Sequence, residues 1–177
     1  MIIKSKSYKT ECYQNVIAYV LRESELENGF VISRFIKGNN RDVEAISKQY
    51  KTNESYRKHI RKNNVKLYMD ILSFKAEDAR LLTNDKLEKI AKKYISLRSP
   101  LGMSLCTVHR NEKSHTHLHF VFSGTHYRIG IANRISRDDF KNKVKIPMET
   151  YQKKHFPELK ASEISHQKKV SPSKKKQ

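Results

Sequence analysis

The sequence predicts an α+β fold, an antiparallel-rich central sheet covered by helices. Three observations predict it. Strand-like apolar segments alternate with segments whose apolar residues recur at helical spacing. Two strand-like segments, residues 103–109 and 116–123, are joined by a short polar turn and read as a hairpin, which requires antiparallel pairing. No internal repeat is present, and 177 residues are enough for one domain with a real core but too few for two large ones. Helices interleaved with a hairpin-bearing sheet give a layered α+β architecture.

At the start of the chain, residues 1–7 read as a short first strand. From 10 to about 24, Tyr13, Val16, Ile17, Val20 and Leu21 fall at helical spacing, with Thr10 as the N-cap and Glu11 favourable in the first turn. Residues 29–35 are β-branched and aromatic, bounded by Gly29 and by Gly38-Asn39-Asn40, and fit either a strand or an ordered loop. A second helical pattern over 41–50 carries Val43, Ile46 and Tyr50, and a basic, polar interval extends from it through Asn64. Residues 65–74 (VKLYMDILSF) read as a buried strand. Thr83 opens a helix with the stripe Leu87, Ile90, Ala91, Tyr94 and Ile95, and its lysines fall late, where the helix dipole favours cations. After the hairpin a basic stretch reads as strand-like. Pro147 fits the first turn of a last helix that ends before Pro157. From Lys168 onward apolar periodicity is absent, so 1–160 is expected to be the folded domain and 161–177 a basic, disordered tail.

Composition narrows the function. The chain carries 37 Lys plus Arg against 18 Asp plus Glu, a formal net charge of +19. Nucleic acid is the commonest partner for such a charge, because neutralising phosphates releases condensed counterions. An anionic membrane is the rival reading, but there is no Trp to build an interfacial anchor. A basic surface with no partner at all is the bland one. No apolar run approaches the length of a membrane span, so membrane insertion is not expected. The start, MIIKSKSYKTE, has no apolar h-region, and the expected location is the cytoplasm. Cys12 and Cys106 stand alone within periodic segments and are expected to be reduced core residues.

Chemistry concentrates in residues 106–124. Four of the eight histidines fall there, at 109, 115, 117 and 119. Strand alternation puts His117 and His119 on one face and Thr116, Leu118, Phe120 and Phe122 on the other. A hairpin return brings His109 beside them. Three neutral imidazoles so placed make a divalent-metal site with positions open for substrate. Isolated surface histidines are the competing reading, and it explains the one-sided arrangement poorly. His115 either shares that face or lies in the turn as a supporting group. A metal beside basic charge suggests phosphodiester chemistry. Tyr19 lies off the apolar stripe of the first helix and is either an ordinary exposed tyrosine or a nucleophile.

These residues resemble the plasmid relaxases, the mobilisation nucleases of the HUH endonuclease superfamily. Ala18-Tyr19-Val20-Leu21-Arg22 is similar to the family's first motif, with its catalytic tyrosine and a nearby basic residue. Ile71-Leu72-Ser73-Phe74, then Leu81-Leu82-Thr83, resembles its DNA-contacting second segment. His109, then His117-Leu118-His119, resembles its histidine motif, and Tyr151 to Leu159 is similar to the segment on the C-terminal side of the nuclease core in many members. The resemblance covers residues 1–160. It implies an HUH-like palm, Tyr19 as catalytic residue, His109, His117 and His119 as ligands of Mg²⁺ or Mn²⁺, and Arg22 and Ser73 as DNA contacts. Ligand softness alone suits Zn²⁺ or Ni²⁺ equally. The implied reaction is nicking of single-stranded DNA at a transfer origin through a 5′-phosphotyrosine. The implied partners are single-stranded and hairpin origin DNA, an accessory mobilisation protein and a type IV coupling protein. The family often has an acidic residue two positions after the first histidine. Here Asn111 stands there with Glu112 beside it, so Asn111, Glu112 and His115 are the candidates for orienting the imidazoles. A rolling-circle replication initiator is the alternative within the superfamily, although its tyrosine usually comes after the histidine motif. A non-catalytic nucleic-acid-binding relative is the alternative outside enzymes.

Overall fold

The computed structural model describes residues 1–25, 29–110 and 116–163. Five strands, β1 (Ile2–Tyr8), β2 (Val31–Arg34), β3 (Leu67–Ser73), β4 (Gly102–Arg110) and β5 (Thr116–His126), form one sheet in the order β1-β3-β5-β4-β2. Every neighbouring pair is antiparallel. The longest strands, β4 and β5, lie at the centre, and both are buried along nearly their whole length. Helices cover both faces, so the central strands read as near-continuous apolar runs.

On one face pack α1 (Tyr13–Glu25) and α2 (Val43–Ser55). The predicted stripe Tyr13, Val16, Ile17, Val20 and Leu21 is buried there with Ile46, Tyr50, Leu67, Leu105 and Val121. Tyr50 is fully buried, its hydroxyl donating to the Val121 carbonyl at 2.9 Å. On the other face α3 (Asn84–Arg98) sets Leu87, Ile90, Tyr94 and Ile95 against Leu118, Phe120 and Phe122. Thr83 caps α3 as its sequence predicts, accepting from the Lys86 N–H. Residues 29–35, open between strand and loop, pair as β2 against β4.

Three expectations are corrected. Thr10 does not cap α1: the first helical bond runs from the Val16 N–H to the Cys12 carbonyl, and Glu11 pairs instead with Lys51 of α2 at 3.2 Å. The basic stretch after the hairpin is not a strand. It makes one bridge, Thr125 with Ala132, and then becomes helical: α4 (Arg137–Asp139), a π-helical turn (Phe140–Lys145) and α5 (Ile146–His155). Phe140, Val144 and Met148, four apart, are the apolar stripe that packs on the α3 face, and the lysines between them disguise it. The π-helical turn just before Pro147 is a fit device, since a proline inside regular helix crowds the carbonyl four residues back. The packed chain also runs past 160: Ser162 is fully buried, its N–H donating to Asp78 at 2.7 Å. The expected tail beyond Glu163 lies outside the described residues.

A buried polar network joins the far edge of the sheet to α3. Asp70 accepts from the Ser5 hydroxyl, from the Tyr94 hydroxyl at 2.8 Å and from Arg98 Nε at 3.1 Å. Both cysteines are free, Cys106 buried and Cys12 half-buried. Among the described residues, no helix is long and apolar enough to cross a membrane.

Candidate active site

Strand register builds the histidine cluster. His109 of β4 stands directly opposite His117 of β5, and His119 stands opposite Thr107. Alternation then puts all three imidazoles on the sheet face that α1 covers, while Leu118 and Phe120 fill the core behind them. The His109 and His119 rings stack at 4.1 Å between centroids, and His117 meets His119 edge-on at 6.2 Å.

The tyrosine arrives from α1. With Val16, Ile17, Val20 and Leu21 turned inward, Tyr19 projects from the flank of the helix and stays 42% exposed. Its ring lies 6.1 Å from the His109 ring and 5.9 Å from the His119 ring, edge-on to both. Segments 90 positions apart in the chain thus meet in one cleft. Arg22, one turn further along α1, is exposed.

The imidazoles are held by specific partners. His109 Nε2–H donates to the Val20 carbonyl at 2.7 Å; a carbonyl only accepts, so that nitrogen carries a proton. Thr107 donates its hydroxyl to the same carbonyl at 3.1 Å. Ser73 Oγ lies 2.9 Å from His117 Nδ1. Ser73, whose segment the resemblance marks for DNA contact, therefore touches the cluster through His117. His119 is held well below its ordinary pKa, at about 3, by burial first and then by the neighbouring charges of His109 and His117. Its Nδ1 is buried without a hydrogen-bond partner among the described residues.

Donor chemistry therefore fits a divalent cation: three imidazoles, one of them, His119, with a buried nitrogen that no other described residue satisfies. In this conformation the trio is adjacent but not converged. The His109 and His119 rings lie face to face, and among the described residues no group of three metal-ligating side chains surrounds a common point. Asn111, Glu112 and His115 lie outside the described residues. Thr107 and the Val20 carbonyl are the site members that sequence reasoning missed. The signal for Thr107 is its place two residues before His109, on the same strand face.

Basic residues away from the cleft sort by burial. Arg57 is structural: it is 8% exposed, forms a two-pronged pair with Glu54 and donates to the Val65 carbonyl at 2.7 Å. At the end of the sheet away from the histidines, Lys9, Lys58, Arg61 and Arg134 line a cavity of about 960 Å³ that has no carboxylate in its wall.

No functionally curated protein matches the sequence. Among solved structures, the fold is similar to the MobM relaxase domain (MOBV; Mob_Pre) bound to 26-nucleotide pMV158 oriT DNA. The TM-score is 0.58 at 14% identity, over 99% of this chain and 95% of that one, a likeness of fold. A family model described as "Relaxase: MobA/VirD2-like, nuclease domain" matches residues 19–155, from the cleft tyrosine to the end of the last helix. That span is most of the chain and takes in Tyr19 and all three histidines, and the chain belongs to the MobA/VirD2-like relaxase nuclease family.

Proposed function

We propose that the chain nicks single-stranded DNA at a plasmid transfer origin through a covalent bond to Tyr19. The observation that carries this reading is the meeting of Tyr19 with His109 and His119, ring to ring within about 6 Å. Tyr19 Oη attacks the scissile phosphorus. The Oη–P bond forms as the P–O3′ bond breaks; the phenol loses its proton and the 3′ oxygen gains one. The products are a 5′-phosphotyrosine and a free 3′-OH. The new ester keeps the energy of the broken one, so the reverse reaction rejoins the strand without another energy source.

His109, His117 and His119 are the residues that would hold a divalent cation. When bound, it supplies Lewis-acid stabilisation of charge on the phosphate. Mg²⁺ or Mn²⁺ is the family's choice, and the nitrogen donors suit Zn²⁺ or Ni²⁺ as well. The chain's own part is orientation: Ser73 positions His117, and Val20 with Thr107 positions His109. Arg22 is placed to meet phosphate near Tyr19. The DNA partner is single-stranded and hairpin origin DNA, handled in the cytoplasm with an accessory mobilisation protein and a type IV coupling protein. The nuclease domain in this reading takes in the packed residues as far as Ser162, and the lysines beyond it add charge for DNA.

Two other tyrosines, Tyr94 and Tyr151, are poorly placed to act as the nucleophile. Tyr94 is fully buried with its hydroxyl committed to Asp70, and Tyr151 packs on His155 and Phe156. A covalent-trapping assay tests the proposal. Wild type and Tyr19→Phe are incubated with single-stranded oligonucleotides from the gene's own flanks, with Mn²⁺ or with EDTA, and resolved on a denaturing gel. The expected adduct needs metal and disappears in Tyr19→Phe. An adduct that survives the substitution rejects Tyr19, and salt-sensitive binding with no adduct at any flank favours the non-catalytic relative.

A further inference from the structure

We propose that Phe35 stacked on Tyr127, flanked by Arg34 and Arg128, is a second single-stranded DNA site on which bases stack, at the end of the sheet away from the histidines. Only the choice of DNA as the nucleic acid rests on the relaxase reading. The two rings are parallel within 4° at 4.7 Å between centroids. The Arg34 guanidinium lies 5.1 Å over Phe35, and that of Arg128 lies 5.3 Å over Tyr127. The result is a cation–ring–ring–cation ladder at the surface, with Phe35 37% exposed.

Backbone strain singles out the same place. Among the described residues, Phe35 (φ 60°) and Arg128 (φ 56°) are the two non-glycine positions with positive φ. That conformation is uncommon for bulky side chains and persists where the surroundings enforce it. Both are enforced from α2. The Arg128 N–H donates to Asn53 Oδ1 at 2.9 Å, and Asn53 is itself buried. Two residues past Phe35, Lys37 is clasped by Gln49, which accepts from its N–H at 2.8 Å and donates to its carbonyl at 2.9 Å. Core packing alone does not account for this arrangement, because Phe35 stays 37% exposed and belongs to neither buried cluster among the described residues.

Beside the ladder lies a cavity of about 340 Å³, walled by Lys37, Lys48, Tyr56, Met103, Tyr127 and Arg128. That size is within the range that holds a small organic ligand. Its wall contains no carboxylate. Arg34, Lys37, Lys48 and Arg128 form no ion pair among the described residues. An acidic peptide would account for the cations but not for the parallel aromatic rings. A nucleic-acid strand accounts for both: as Arg34 and Arg128 turn to phosphates, the outer ring faces they cover open to bases. The strand must be single, because paired bases do not offer their faces.

Position gives the inference a length. Tyr127 comes directly after β5, on the order of 25 Å from His119 at ~3.3 Å per residue. At stacked spacing of about 3.4 Å this corresponds to roughly seven nucleotides, and to fewer in an extended strand.

The test measures binding without chemistry, on the full chain carrying Tyr19→Phe, in EDTA. The probes are a dye-labelled single-stranded DNA oligonucleotide longer than that span and a twin made abasic over successive windows. Phe35→Gly removes the ring and relieves the positive φ, so it should leave thermal stability intact; Tyr127→Leu keeps apolar bulk. Both are expected to weaken binding of the intact strand roughly 5- to 150-fold, the worth of one stacked base. One abasic window should weaken the Phe35-containing chain to the same degree, and a 2-aminopurine there should lose its fluorescence on binding, except in Phe35→Gly. Affinities within about twofold for every variant and every abasic window overturn the proposal, leaving a purely electrostatic surface. If Tyr127→Leu fails to fold, the abasic windows decide alone. A chain that stacks bases but never forms the Tyr19 adduct sinks the catalytic reading and spares this one; a chain that forms the adduct but ignores abasic windows does the reverse.

Discussion

Removing the charge of Asp70 should cost more stability than any other single-atom change on the α3 face, and should do so without touching the site. Asp70 is fully buried, and the Arg98 side chain is 1% exposed. Asp70 accepts from three donors: Ser5, Tyr94 and Arg98. In Asp70→Asn one oxygen becomes an NH₂ group that faces donors, so two charge-assisted hydrogen bonds weaken and an N–H is left without an acceptor. Arg98 keeps its charge with nothing to balance it, although its Nη1 already lacks a partner among the described residues and the Tyr68, Phe122 and Phe140 rings around it offer only partial compensation. Breaking a buried pair in this way costs about 3–5 kcal/mol. At 2–4 °C per kcal/mol for a chain of this size, the melting temperature should fall by roughly 6–20 °C. Urea unfolding of Asp70→Asn, Arg98→Met and Asp70→Leu/Arg98→Met measures it. The double variant should recover much of the loss, because apolar groups of similar volume replace a buried pair at little net cost. Well below the transition, single-strand binding should match the parent. An Asp70→Asn loss under about 1 kcal/mol, or a double variant as unstable as the sum of the singles, would refute the reasoning.

Ser73→Ala removes the hydroxyl 2.9 Å from His117 Nδ1 and should lower metal affinity about 10–100-fold, read by Mn²⁺ titration, at a stability cost of only about 1 kcal/mol. Unchanged Mn²⁺ affinity would deny Ser73 an orienting role. In chelator, acid should destabilise the fold through His119. Its folded pKa, about 3, lies below its ordinary 6.5, so between these values the unfolded chain binds the extra proton. The stability held above pH 6.5 is therefore lost as pH falls, by about 2 kcal/mol at pH 5. Urea midpoints at pH 7 and 5 should diverge less in His119→Gln; an identical divergence would mean that His119 is not the group.

Much of this was legible from local pattern. The stripe of α1, the cap and stripe of α3, and the hairpin with its one-sided histidines each arise from periodicity and turn chemistry within a short window. Tyr19 was legible as an off-stripe residue, and its meeting with the histidines was not, because that contact depends on how α1 lies across β4. The helical segment over 137–145, which leads into the expected last helix, was hidden for a different reason. Its apolar residues are single, separated by lysines, and interrupted by a π-helical turn that shifts the period. Asp70 and Arg57 mislead in the same way, since a charge in a sequence reads as a solvated position and both are buried with their partners. Phe35 was hidden because one positive φ turns an apparent strand residue outward to meet Tyr127, and no local propensity anticipates it.

The Val20 carbonyl explains how a half-exposed tyrosine on a helix flank is held beside a buried histidine cluster. It belongs to the residue after Tyr19, and it accepts from both Thr107 and His109. The same bond that fixes the height of α1 over β4 also fixes which nitrogen of His109 carries its proton. Sliding the helix by one residue would move Tyr19 out of the cleft and free His109 to change tautomer. Tyrosine placement and imidazole valence are therefore one structural variable, set by two hydrogen bonds to one oxygen. Packing alone could not set it, since the α1 stripe against Leu105 and Val121 is apolar and tolerates small shifts, whereas a 2.7 Å hydrogen bond to a carbonyl does not.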